Sequence, residues 1–214
     1  MALRTITTPR SLLAYGLLAT SLGVAGCGDS VEKPSEENEN EVITTVTLGF
    51  TPEGGGEPFE ASFRDADGDG GGAPTIDPVT LSSGRTYAVT VSFLNELEAP
   101  PEDITEEVDA ESDQHQVFFT GAGVQSPATA ADPDAVVEQD YDDTDENGLP
   151  VGLANSFIAL QPGGGELTVT LRHIPPVNGA AVKTGDLAAL VATDGLEALP
   201  GSTDASVTFD VTVE

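Results

Sequence analysis

From Glu41 onward, apolar and polar side chains alternate in short runs. Val42, Thr44, Val46, Leu48 and Phe50 share one parity; Phe59, Ala61 and Phe63 share another, with Glu60, Ser62 and Arg64 opposite them. The same period of two returns in Tyr87, Val89, Val91 and Phe93, in Leu167, Val169 and Leu171, and in Val207, Phe209, Val211 and Val213. Successive side chains of a strand point to opposite faces, so each run predicts a strand with one buried side. Less regular runs at 115–120, 135–141 and 151–160 predict three more.

Between these runs stand Gly54-Gly55-Gly56, Gly70-Gly71-Gly72 and Gly163-Gly164-Gly165, which read as turns. About eight strands over 41–214 imply an all-β fold, a single Ig-like antiparallel β-sandwich. One acidic segment departs from the alternation. Residues 103–113 follow Pro100-Pro101, with Asp103 and Glu106 at capping-box spacing and Ile104 and Val108 four apart. They read as one short helix over an end of the sandwich, or as a loop.

The chain before Glu41 is of another kind. Arg4 and Arg10 precede an apolar stretch from Leu12 to Val24 and a small-residue exit at Ala25 and Gly26, the layout of an export signal over 1–26. Val24-Ala25-Gly26-Cys27 resembles a bacterial lipobox, which implies cleavage before Cys27 and lipidation of that cysteine. Several acyl chains on one residue make a stable membrane anchor where a single chain is marginal. By the same resemblance, Gly28 in place of Asp after the cysteine points to the outer membrane. Residues 28–40 hold one aliphatic side chain, Val31, and cannot bury enough surface to order themselves. They read as an acidic tether spanning roughly 20 Å. Cys27 is the chain's one cysteine, so no disulfide can staple the domain and its core must hold it together.

Charge narrows the function. Residues 1–26 hold two of the 7 basic residues and none of the 37 acidic ones, so the chain from Cys27 onward carries five basic residues against 37 acidic, a formal charge of −32. Such a surface repels nucleic acid and anionic headgroups and attracts cations. Its acids either stay solvated in a salty exterior or gather into cation sites.

Two stretches have the spacing for the second alternative. Asp65, Asp67 and Asp69 stand two apart with Gly70 next, like the first half of an EF-hand calcium loop, and Asp143, Asp145 and Asn147 with Gly148 repeat the pattern. Both are candidate Ca²⁺ loops. Both depart from the motif at position 12, where Ile76 and Ala154 replace Glu, and both also read as plain Asp-Gly and Asn-Gly turns. The chain's two histidines, His115 and His173, fall in or beside predicted strands. They could meet across the sandwich and two imidazoles can anchor a transition metal, but catalysis would need a third ligand and an open position, and they read first as hydrogen-bonded structural residues.

Enzyme signatures are missing: the sequence contains no Gly-x-Ser-x-Gly, His-Glu-x-x-His or Gly-x-x-x-x-Gly-Lys. Trp is absent, which leaves sugar-stacking platforms poorly supplied. The order of motifs Glu41–Val46, Phe63–Gly70, Leu94–Glu96, Ile104–Val108, Asp113–Gln116, Asn147–Leu153 and Leu167–His173 resembles a family of small bacterial lipoproteins grouped under a type 1 periplasmic binding fold name. The resemblance implies one lipoprotein domain and no particular activity. The expectation is a non-enzymatic envelope lipoprotein with an interaction or structural role; the alternative is a binding protein that captures a small ligand or cation for a transport partner.

Overall fold

Every alternating run forms a strand in the computed structural model, which describes residues 41–214. Cys27, the predicted signal segment and the tether lie outside the described residues. In chain order the strands are β1 (Thr45–Pro52), β2 (Phe59–Arg64), β3 (Thr75–Ile76), β4 (Val79–Leu81), β5 (Thr86–Asn95), β6 (Glu102–Asp103), β7 (His115–Thr120), β8 (Val124–Gln125), β9 (Val137–Tyr141), β10 (Ala154–Ala159), β11 (Gly163–His173) and β12 (Ser202–Val213). Helix α1 (Ile104–Ala110) precedes β7, and α2 (Leu187–Asp194) precedes β12. Among the described residues no helix is long and apolar enough to cross a membrane.

Eight strands pair into one sheet in the order β3-β2-β1-β5-β10-β9-β8, with β6 beside β5; the order β4-β12-β11-β7 makes the second. Pairing is antiparallel except for the short β4–β12 and β8–β9 ladders. The buried parity of each sheet faces the other. Val46, Leu48, Phe50, Val91, Phe93 and Phe157 of the first sheet share one cluster with Val117, Phe119, Leu167, Leu171, Phe209 and Val211 of the second. Each such side chain, fully buried, contributes about 1.5–3 kcal/mol, and this apolar contact stands in for the staples the sequence lacks.

The segment predicted as helix or loop is a helix, shorter than 103–113. Asp103 caps it by accepting the Thr105 N–H at 3.0 Å, and Thr105 Oγ1 accepts the Phe93 N–H at 2.9 Å, tying α1 to β5. Ile104 and Val108 close the core.

Three features depart from expectation. Val42 is exposed and precedes the first strand, which begins at Thr45. Gly163-Gly164-Gly165 is strand, paired with Val213, Thr212 and Val211. The loop at 121–123 crosses this strand so closely that a Cβ at Gly165 would strike the Ala122 carbonyl oxygen, and the Glu166 N–H donates to that oxygen at 2.8 Å. Gly165 thus serves a close backbone approach, and Gly163 leaves room for the Val136 side chain. Finally, α2 stands where the pattern predicts no helix. Its Leu187 and Val191, with Ile174, Leu199 and Ala128, cover Phe118 in a second apolar cluster. Phe118 points opposite to Val117 and Phe119, so this cluster lies on the outer face of the smaller sheet.

Candidate metal centre

Alternation along β7 and β11 continues past the core. Val117 and Phe119 on one strand and Val169 and Leu171 on the other are core residues; His115 and His173, two positions further along, therefore point the same way. The two are Cα partners in the β7–β11 ladder, and their rings stack with centroids 4.7 Å apart and planes 11° from parallel.

The third member comes from β12 through an irregularity. Leu171 pairs with Ala205 but Arg172 pairs with Thr203, which leaves Asp204 without an opposite number. A β-bulge of this kind turns a side chain out of strict alternation. Alternation alone would send Asp204 outward with Ser206 and Thr208, whose hydroxyls meet Thr170 and Thr168 at 3.0 and 2.8 Å. Instead, one ligand atom each from His115, His173 and Asp204 lies within 4.8 Å of the other two. Gly201 governs the approach of β12. Its φ is +81°, and a Cβ there would collide with the His173 carbonyl oxygen, so this close entry requires glycine.

The cluster is dry. The side chains of His115 and Asp204 are 2% and 0% exposed, with His115 Nε2 3.8 Å from Asp204 Oδ2. His115 Nδ1 lies 3.1 Å from the Glu111 carbonyl oxygen. A carbonyl can only accept, so Nδ1 carries the proton and Nε2 turns a lone pair toward the cluster. Burial pushes the His115 pKa down to about 4, against the raising effect of the Glu111 carbonyl and with a further downward push from His173. Burial also raises the Asp204 carboxyl to about 7; Glu41 adds to the rise and Arg172 opposes it. Nε2 of both histidines and both carboxylate oxygens of Asp204 are buried without a hydrogen-bond partner. Orphaned buried polar atoms are costly and rare, and four around one point is unusual.

The acidic loops are arranged differently. Asp143 accepts N–H groups of Gly152, Leu153 and Ala154 at 2.7, 2.7 and 2.9 Å. Asp145 Oδ1 accepts those of Asn147 and Leu149 at 2.8 and 2.9 Å, while its Oδ2 is 2.9 Å from Lys183 Nζ. Asn147 is exposed and engages Asp145 through its backbone. The positive partner of this loop is thus an ammonium group. Lys183 Nζ also donates to the Ser112 carbonyl at 2.7 Å, and the paired side chains are 1% and 0% exposed. In the first loop, Asp67 Oδ2 accepts the Gly72 N–H at 3.1 Å, Asp69 sits in a 3-10 turn at Gly68–Gly70, and Asp65 Oδ1 is buried and unpartnered.

Sequence reading singled out the histidines and the two acidic loops. It passed over Asp204, which its parity assigns to the solvent face, and Lys183, whose partner lies 38 residues away. The register slip that redirects Asp204 has no sequence signature, although an acid in an otherwise Ser/Thr/Ala stretch beside the strand carrying His173 was a weak cue. Compared with known proteins, the chain matches no family model, no curated protein and no solved structure.

Proposed function

We propose that this chain is a lipid-anchored, non-enzymatic module of the bacterial cell envelope, held at the membrane through Cys27 and serving an interaction or structural role. The observation that carries the reading is a sandwich interior filled from both sides. Phe157 of the larger sheet meets Phe119 of the smaller edge to face, with centroids 5.5 Å apart. An open recess of about 440 Å³ lies along β1 and β2, among residues that include Gly49, Phe50, Thr51, Phe59, Glu60 and Thr90. Binding proteins for small molecules instead enclose their ligand in a concave, mostly apolar site. Changing Cys27 to Ser is expected to move the protein from the membrane fraction to the soluble fraction with its circular dichroism unchanged. Retention of the Cys27→Ser protein in membranes would refute the anchor.

Calcium at the Asp65–Asp69 loop belongs to the same reading, supported by the unpartnered Asp65 Oδ1. Affinity there falls in the weak extracellular range, roughly 10⁻⁴–10⁻³ M. Millimolar Ca²⁺ is expected to raise the melting temperature of the unmodified chain and not of Asp67→Ala. An equal rise with NaCl at matched ionic strength would rule calcium out. The second reading, capture of a cation for a transport partner, is favoured by the His115–His173–Asp204 cluster, although donors so deeply buried suit retention better than release.

A further inference from the structure

We propose that His115, His173 and Asp204 hold one divalent first-row transition-metal ion of the Zn²⁺ class, which ties together the ends of β7, β11 and β12. The site is independent of the membrane anchor and of the calcium loop.

Three observations converge on it. The donor set is two imidazole nitrogens and one carboxylate oxygen, the combination that zinc and neighbouring ions take in proteins. The donors are mutually placed: tetrahedral ligands on Zn²⁺ sit about 3.3 Å apart for metal–ligand distances near 2.05 Å, against 3.8 Å from His115 Nε2 to Asp204 Oδ2 and at most 4.8 Å for any pair. And these atoms lack other partners although they are buried. A structural histidine pair would spend its ring nitrogens on hydrogen bonds, whereas here Nε2 of both rings is buried without one.

The surroundings suit ligation. Metal-bound histidine normally donates its other ring N–H to a carbonyl or carboxylate, which fixes the tautomer. His115 has that arrangement with Glu111. Neutral imidazole is the ligating form, and with Nδ1 against the Glu111 carbonyl, His115 keeps its Nε2 lone pair for an ion. A dication would neutralise the buried Asp204 carboxylate, which no hydrogen bond now serves. The ion also accounts for the bulge, which turns an acid into a dry interior where no hydrogen bond serves it. Because the three ligands come from adjacent strands, the ion acts as a clasp across the open end of the smaller sheet.

The chain has two histidines, both in this cluster, so any imidazole signal reports on it alone. The test uses untagged full-length protein in mild detergent, with Cys27→Ser to remove the one competing thiol. Zn²⁺ is the probe and Mg²⁺ the control for the diffuse attraction of the acidic surface. One equivalent of Zn²⁺ is expected to shift the Nε2 resonances of both rings in ¹H–¹⁵N spectra. Zn²⁺ at about 100 times its Kd is expected to raise the melting temperature by roughly 5–11 °C. Asp204→Asn, which keeps the shape of the side chain, and His173→Gln are each expected to weaken Zn²⁺ binding at least tenfold, while Asp67→Ala leaves it unchanged. Unmoved imidazole resonances in the otherwise unmodified chain, equal stabilisation by Mg²⁺, or wild-type affinity in Asp204→Asn would each overturn the proposal. The spectra require no substitution in the cluster, so they decide the matter even if a variant does not fold.

Discussion

Replacing Lys183 by methionine is expected to destabilise the domain by about 3–5 kcal/mol, because it strips a buried carboxylate of its counter-charge. At roughly 2–4 °C per kcal/mol for a domain of this size, the melting temperature falls by about 6–20 °C. The structural reason is that Lys183 joins three separate segments, through the Ser112 carbonyl, the Asp145 carboxylate and its own loop before α2. The pair as a whole adds little beyond an apolar pair of the same shape, since burial pushes the Lys183 ammonium pKa down despite the opposing effect of Asp145. Losing one partner is the costly event. The double variant Lys183→Met/Asp145→Asn should therefore be more stable than Lys183→Met alone, because asparagine keeps an acceptor for the Asn147 and Leu149 N–H groups without the charge. Denaturant titration of the four proteins checks this; a double variant no better than the single would mean that the charge is not the cause. Acid should act in the same direction. Burial alone would raise the Asp145 pKa, but the Leu149 N–H and Lys183 outweigh it and the value is lowered. The stability this group contributes is present above its unfolded value, about 3.9, and is lost as pH falls through the lower folded one.

Phe157→Ala should cost a similar amount, about 3–5 kcal/mol, by opening a cavity between the sheets. The ring is fully buried and sits edge-on to both Phe50, at 6.0 Å and 85°, and Phe119, at 5.5 Å and 85°. Edge-to-face pairs add about 0.5–1.5 kcal/mol beyond their buried area. Since Phe119 belongs to the opposite sheet, the loss falls on the contact that joins the two layers. Urea unfolding is expected to show a lower midpoint with an unchanged slope. A loss below about 1 kcal/mol would mean that the core closes over the gap.

Strands with one wet and one dry face carry their own record in the chain, and the eight legible ones include every strand that contributes to the main core in more than one or two positions. β3, β6 and β8 have two residues each and β4 has three, too few for alternation to be visible. Helix α2 carries the same four-residue spacing of buried residues, Leu187 and Val191, as Ile104 and Val108 in α1. Its surroundings are apolar as well, which blurs the period. Glycines at 163–165 read as a turn, yet they lie in a strand where a neighbouring backbone requires Gly165 and the Val136 side chain crowds Gly163. The candidate centre was half legible. His115 and His173 were visible as residue types, but their adjacency depends on ladder register and Asp204 on a slip in it. Register is a property of paired strands, and no single strand's sequence encodes it.

β12, the last strand in chain order, is interior to its sheet, with β11 on one side and β4 on the other. Val79 and Leu81 of β4 wait for Val211 and Val213, about 130 residues later in the chain. A polypeptide that emerges amino end first can assemble much of the larger sheet early, but the smaller one stays open until nearly all of residues 41–213 are out. Pairings this distant are slow to close, and an unfilled gap between two strand edges is an invitation to aggregation. The timing of release therefore becomes part of the folding problem: a nascent chain stalled before residue 202 would present two unzipped edges, and what holds it in that interval matters as much as the final core.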